Sequence, residues 1–200
     1  MTEHYFSTKP TTPEKRTRFT TTLRDHELTF TTSSGVFSKE HIDIGSRLLI
    51  EQCIIENGWD VLDLGCGYGA VGIAIAKAYP EAKIVCSDVN ERAVALTKEN
   101  AKENGVDIMT VPSDGYEHVK GPFDTILLNP PQTAGRDVCL RLLKEAKEHL
   151  KDGGMLQIVA RPNKGGKTLA AFMKETFGNV DVLGKGSGYR VYRSVKQHIE

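Results

Sequence analysis

The sequence predicts an α/β protein: a single doubly wound, seven-stranded and mostly parallel sheet with one antiparallel strand, preceded by an N-terminal β-hairpin extension. Three observations predict it. From residue 60 onward short apolar strands alternate with helical patterns, which implies right-handed βαβ units and a sheet covered on both faces. The final two strands follow one another across a Gly-rich turn with no helix between, so one must run antiparallel. Polar residues also recur where four successive strands end, at Asp63 to Gly67, Asp88, Asp114 and Asn129. In such sheets ligands sit beyond those C-terminal ends.

Residues 1–15 carry Pro10 and Pro13 and little periodicity, and read as an extended arm. The β-prone runs 17–23 and 27–32 flank Arg24-Asp25-His26 and predict a hairpin. After the turn at 33–35, Val36-Phe37-Ser38 reads as a loop with an exposed aromatic. Residues 43–55 have Ile44, Leu48, Leu49, Cys53 and Ile54 on helical spacing, closed by Asn57-Gly58. Strand 60–64 enters a glycine-rich turn and helix 70–79, stopped by Pro80. Strand 83–87 leads to Asp88 and helix 91–103, closed by Asn104-Gly105. A strand near 107–111 ends before Ser113-Asp114-Gly115, and strand 123–128 runs into Asn129-Pro130-Pro131. Helix 136–150, strand 155–160, helix 167–176 and strands near 180–184 and 189–195 complete the chain.

The 200 residues suffice for one domain, or one domain with an appendage, and for a sizeable core. No run approaches 18 apolar residues, so no membrane span is expected. The N-terminus lacks the basic and apolar regions of a signal peptide. Cysteines 53, 66, 86 and 139 form no Cys-x-x-Cys and read as reduced thiols of a cytoplasmic protein. The six histidines have no partner at metal-binding spacing, so no metal is expected. Net charge is zero but unevenly spread: +3 over residues 1–24, −8 over 25–160 and +5 over 161–200. Basic ends around an acidic middle permit an anionic partner, and equally a solvated surface.

Val61–Gly72 reads as strand, glycine turn and helix, the signature of a nucleotide-type cofactor site. Gly65, Gly67 and Gly69 allow a sharp turn and close approach of a ligand to amides at a helix N-terminus. Gly67 to Gly72 matches G-x-G-x-x-G, so a dinucleotide such as NAD fits. Asp63, an acid just before the first glycine, suits a cation or a hydroxyl-rich ligand better than a pyrophosphate. The stretch resembles motif I of the class I S-adenosylmethionine-dependent methyltransferases, whose ligand carries a sulfonium and an ammonium and no phosphate. Asp88, 21 residues beyond Gly67, can accept both hydroxyls of a ribose, a need that NAD and S-adenosylmethionine share; it can equally cap the next helix. Asp114 can accept from an adenine amino group or merely form a turn before Gly115. The candidate cofactor-binding set is Phe37, Asp63, Gly65, Cys66, Gly67, Asp88, Val89, Asp114, Gly115 and Asn129.

Asn129-Pro130-Pro131 points to the reaction. Two prolines after a buried strand fix the chain and remove two amide donors, leaving carbonyls and the Asn129 side chain as acceptors. Acceptors suit a substrate bearing N–H groups, whose planar nitrogen is a poor nucleophile until its lone pair is localised. The motif resembles motif IV, [Asn/Asp]-Pro-Pro-aromatic, of methyltransferases that modify planar nitrogens in adenine, guanine or glutamine. Here Gln132 replaces the aromatic, so the stacking partner is sought elsewhere, at Phe37, Tyr189 or Arg136. Gly35-Val36-Phe37-Ser38, Asp43-Ile44-Gly45-Ser46 and Asn129-Pro130-Pro131-x-x-x-Gly135 together resemble the small-methyltransferase domain of ribosomal RNA guanine-N2 methyltransferases, over roughly residues 15–196. The resemblance implies a Rossmann-like methyltransferase domain at 41–200 behind an arm and hairpin at 1–40. It also implies a Val36-Phe37 loop closing over the cofactor. The larger family members carry a second, degenerate methyltransferase-like domain ahead of this one, and the present sequence reads as lacking it.

Lys164-Gly165-Gly166-Lys167-Thr168 imitates the end of a P-loop, but Arg161 stands where the first glycine is required. Arg161, Lys164 and Lys167, with Arg190 and Arg193, read instead as a basic rim able to hold phosphates. The expected function is an S-adenosylmethionine-dependent N-methyltransferase acting on RNA, at an exocyclic guanine amino group of ribosomal RNA by the resemblance, with Asn129, Pro130 and Pro131 as the catalytic set and Arg136, Arg161, Lys164, Lys167 and Tyr189 against the substrate. Alternatives are methylation of a protein glutamine or a small molecule, a non-catalytic RNA-binding assembly factor, and more distantly an NAD-dependent oxidoreductase.

Overall fold

The computed structural model describes residues 15–34, 36, 41–131 and 134–198. Strands β1 (Arg16–Leu23) and β2 (His26–Ser33) pair antiparallel as a separate two-stranded sheet. Leu23 pairs with His26, so the turn is Arg24-Asp25, with φ of 46° and 63°. Positive φ at both positions matches the right-handed twist of the flanking strands. Arg24 is held there by its own bonds: Nε donates to the Ile50 carbonyl at 2.6 Å, and its amide donates to Glu51 Oε1 at 3.0 Å.

The other edge of this hairpin, along β2, is sealed by a helix, α3 (Glu91–Glu103), and its C-cap residue Asn104. Asn100 accepts from the Thr31 amide (2.8 Å) and donates to the Thr31 carbonyl (2.9 Å); Asn104 does the same to Thr29 (3.0 and 2.8 Å). Four residues of helix rise about 6 Å and two residues of strand about 6.8 Å, so the two side-chain amides meet alternate strand residues. Phe19, Phe30 and Tyr68 close the space beneath, with Phe30 and Tyr68 ring centroids 5.5 Å apart.

The main sheet has the order β5-β4-β3-β6-β7-β9-β8. Its strands are β3 (Asp60–Leu64), β4 (Lys83–Asp88), β5 (Met109–Pro112), β6 (Phe123–Leu128), β7 (Leu150–Ala160), β8 (Asp181–Gly186) and β9 (Tyr189–Val195). Only β9 opposes the rest, pairing antiparallel with both neighbours. Helices α1 (Ile44–Gln52), α2 (Ala70–Ala78) and α3 cover one face; α4 (Arg136–His149) and α5 (Lys167–Phe177) cover the other. Buried on both sides, β6 reads as the unbroken run Ile126-Leu127-Leu128. The hairpin contributes Leu23, Leu28 and Phe30 to the same core as α2 and β4.

Two elements differ from their sequence patterns. The α1 helix stops at Gln52 instead of continuing to 55, because the buried Gln157 of β7 takes the Ile54 amide and carbonyl, each at 2.8 Å. β7 begins at Leu150 instead of 155. Gly153 and Gly154 are drawn into the sheet by the segment after β9: Gly153 donates to the Lys196 carbonyl and Lys196 to that of Gly154, both at 2.8 Å. No helix among the described residues is long and apolar enough to cross a membrane.

Candidate active site

The polar strand ends of β3, β4, β5 and β6 meet around one cavity of about 610 Å³ at the C-terminal edge of the sheet. Asp63, Gly65, Cys66, Gly67, Asp88, Val89, Asp114 and Gly115 line one part of it; Asn129, Pro130, Pro131, Arg161, Lys164 and Tyr189 line another. Lys167 lies in a second groove beyond Tyr189, and Arg136, exposed at the start of α4, borders neither. Arg193 is held by Asp181 at 2.6 Å and so is not a free rim cation. Phe37 and Gln132 lie outside the described residues.

The glycine turn discriminates between the two cofactor classes. A pyrophosphate needs free amides there. Gly65 and Cys66 both donate to the Ser87 carbonyl (2.8 and 2.9 Å), and Gly69 donates to Cys66 (2.9 Å). Gly67 donates to Asp88 Oδ2 (2.9 Å) and Gly72 to Asp63 Oδ2 (2.8 Å). At Gly67 and Gly72 the turn therefore sets carboxylates against the amides that a dinucleotide's pyrophosphate would use. Gly72 itself is needed for close approach, since a Cβ there would stand 2.2 Å from Cys86 Sγ. Asp88 Oδ1 also accepts from the Asn90 amide at 2.9 Å, so both carboxylate oxygens are fixed at the cavity wall. Asp114 is drawn toward Arg141, 2.6 Å away.

Burial lifts the Asp63 carboxyl to about 7; the Gly72 amide opposes the shift and the charge of Asp88 adds to it. Two buried carboxylates this close fit a cationic ligand, which is the chemistry of S-adenosylmethionine. The raised value also has a signature in stability. The folded state favours neutral Asp63, so this stabilisation is full below the unfolded value of about 4 and is lost as pH rises through 7. Without cofactor, the melting temperature is expected to fall over that window, and Asp63→Asn to flatten the fall. Parallel curves for the two proteins would show that Asp63 does not titrate there.

Across the cavity, Asn129 Nδ2 donates to Asp43 Oδ2 and to Ser46 Oγ, both at 3.0 Å. Asp43 caps α1, its Oδ2 also accepting from the Ser46 amide at 2.8 Å. An ionised carboxylate only accepts, so this contact requires the nitrogen of Asn129 to face Asp43 and its oxygen to face away. Among the described residues nothing donates to Asn129 Oδ1 or to the Pro130 carbonyl, whereas the Pro131 carbonyl is taken by the Ala134 amide (3.0 Å). Tyr189 forms an adjoining wall. Arg161 lies 4.6 Å over its ring, and Gly45 leaves the room it occupies: a Cβ there would be 2.9 Å from Tyr189 Cε1.

Three comparisons bear on this geometry. The sequence profile of the methyltransferase small domain family matches residues 27–193. The chain belongs to that family. It is an S-adenosylmethionine-dependent methyltransferase. Within this methyltransferase family it is 40% identical over 202 residues to the uncharacterized protein YbxB of Bacillus subtilis (strain 168), covering 98% of this chain and all of YbxB. It is 36% identical to the ribosomal RNA small subunit methyltransferase C of Shewanella loihica (strain ATCC BAA-1088 / PV-4), over 85% of this chain and 50% of that protein. It thus spans about half the length of that relative. Among solved structures, the T. thermophilus 16S rRNA N2 G1207 methyltransferase (RsmC) in complex with AdoMet and guanosine superimposes with a TM-score of 0.81 at 28% identity, over 94% of this chain and 52% of that one.

In the sequence Asp43 and Ser46 stand at a helix start and within a stretch that carries the family resemblance, but their second task depends on Asn129, 86 and 83 residues away. Asp43→Ser tests it, because serine keeps the cap but is too short to reach the amide. The expected result is a turnover loss of about 10- to 100-fold with the fold retained. An unchanged kcat would show that the pair does not orient Asn129.

Proposed function

We propose that this methyltransferase transfers a methyl group to the exocyclic amino group of a guanine in ribosomal RNA. The observation that carries the reading is the fixed Asn129 amide, its oxygen left as an acceptor beside the Pro130 carbonyl. An exocyclic amino group has two N–H bonds for two such acceptors. Drawing both hydrogens aside pyramidalises the nitrogen and turns its lone pair toward the cofactor end of the cavity. S-adenosylmethionine, when bound, supplies the electrophilic methyl on its sulfonium. The protein's part is orientation and electrostatic support of charge developing on the nitrogen, with no covalent step of its own. Tyr189, stacked under Arg161, supplies the flat surface for the base that Gln132 does not. Asp63, Gly65, Cys66, Gly67, Asp88, Val89, Asp114 and Gly115 hold the cofactor, and Arg161 and Lys164 meet the substrate at the rim. The ribosomal RNA enzymes similar to this chain support the substrate class, and the guanosine complex of one of them supports the base.

The test is methyl transfer from labelled S-adenosylmethionine into ribosomal RNA, assembled subunits, transfer RNA and cell protein. Label in ribosomal RNA, released on digestion as a guanine methylated on its amino group, is expected. Label confined to protein would replace RNA with a glutamine substrate.

A further inference from the structure

Beyond Tyr189 the rim continues into a second groove of about 420 Å³, between the loop after β7 and the β8–β9 hairpin. Its cations are Lys167, Lys185 and Arg190, and among the described residues no carboxylate lines it. Among the described residues none of the three has a side-chain hydrogen bond or an ion pair. The hairpin register sharpens the point. Lys185 stands directly opposite Arg190 across the two strands. Like charges paired in this way destabilise a hairpin. At the far end of the same hairpin, Asp181 stands opposite Arg193 and neutralises it. The unfavourable pair is thus confined to the end that carries the groove. A local choice working against the fold marks a site kept for something else.

The hairpin's direction places it at the active edge. β9 runs against the parallel strands, so its first residue, Tyr189, lies where they end. The two-residue turn Ser187-Gly188, φ 48° and 79°, holds Lys185 and Arg190 immediately beside it. Tyr189 is the common wall: one side borders the cavity holding Asn129, the other the cationic groove.

We infer that this groove binds the phosphodiester backbone of the RNA strand next to the target nucleotide, while the target base crosses Tyr189 toward Asn129. The inference rests on the RNA reading above. It divides the substrate in two: a base read by acceptors, and a neighbouring phosphate held by Lys167, Lys185 and Arg190 without regard to sequence.

Lys185→Glu tests it, because the substitution should act in opposite directions on fold and function. A glutamate opposite Arg190 makes a favourable cross-strand pair, so the melting temperature should hold or rise. S-adenosylhomocysteine affinity by calorimetry should be unchanged. The KM for ribosomal RNA should rise about tenfold with kcat at saturation retained, and the salt dependence of RNA binding should flatten by about one unit of slope. Lys167→Ala should shift KM in the same direction by a smaller factor. If wild type and Lys185→Glu methylate RNA with the same KM and salt slope, the groove assignment is overturned and the RNA reading stands. If the wild-type protein neither binds nor methylates RNA, both are overturned.

Discussion

Asn129→Ala is expected to lower kcat for methyl transfer by about 10²- to 10³-fold, with S-adenosylhomocysteine affinity close to wild type. The substitution removes an acceptor held by two bonds at 3.0 Å, and the rigid Pro130-Pro131 turn offers no replacement. Such a preorganised acceptor acts most strongly as the target nitrogen changes shape, so the loss should fall on turnover more than on binding. Asn129→Asp should not rescue it. Aspartate keeps an oxygen for the substrate but places a second carboxylate against Asp43, where Asn129 now donates. Single-turnover kinetics with labelled cofactor would measure both variants, and wild-type rates in Asn129→Ala would remove this residue from the reaction.

Gly67→Val should weaken cofactor binding by at least about 100-fold while leaving far-UV circular dichroism unchanged. Gly67 has φ of 59°, a left-handed conformation costing an ordinary residue about 1–2 kcal/mol and a β-branched one more. The turn cannot rotate away from it freely. The Gly67 amide is held by Asp88 and its carbonyl by Thr97 Oγ1, both at 2.9 Å. Relief of strain would therefore break the contact that aims Asp88 into the cavity. Calorimetric titration with S-adenosylhomocysteine is the measurement, and unaltered affinity would put the cofactor elsewhere.

What could be read from the chain alone was local chemistry at strand ends. Asp63, Asp88, Ser113-Asp114 and Asn129 each follow or close an apolar run, and a parallel sheet brings such ends to one edge whatever the strand order. Interactions set by folding were not legible. That the Gly65, Cys66 and Gly67 amides are already satisfied depends on Ser87 and Asp88 of the neighbouring strand. That Arg193 is neutralised and Arg190 is not depends on hairpin register. Nor does helical spacing reveal that Gln157 ends α1 early from more than a hundred residues away. The Asp43–Asn129 contact belongs to the same class, and the Asp-x-Gly-Ser spacing shows only its capping half.

The locking of β2 onto Asn100 and Asn104 reaches further than stability. Because helix and strand repeats coincide only at alternate residues, the hairpin slips by two positions or not at all. The chain leaves this lock at Ser33 and re-enters the site at Val36 and Asp43, both on the cavity wall. Inheritance of a working active site therefore includes two asparagines that never face the ligand. Asn100 couples the lock to the pocket directly, since its Nδ2 also donates to the carbonyl of Tyr68, a residue of the cavity wall, at 2.8 Å.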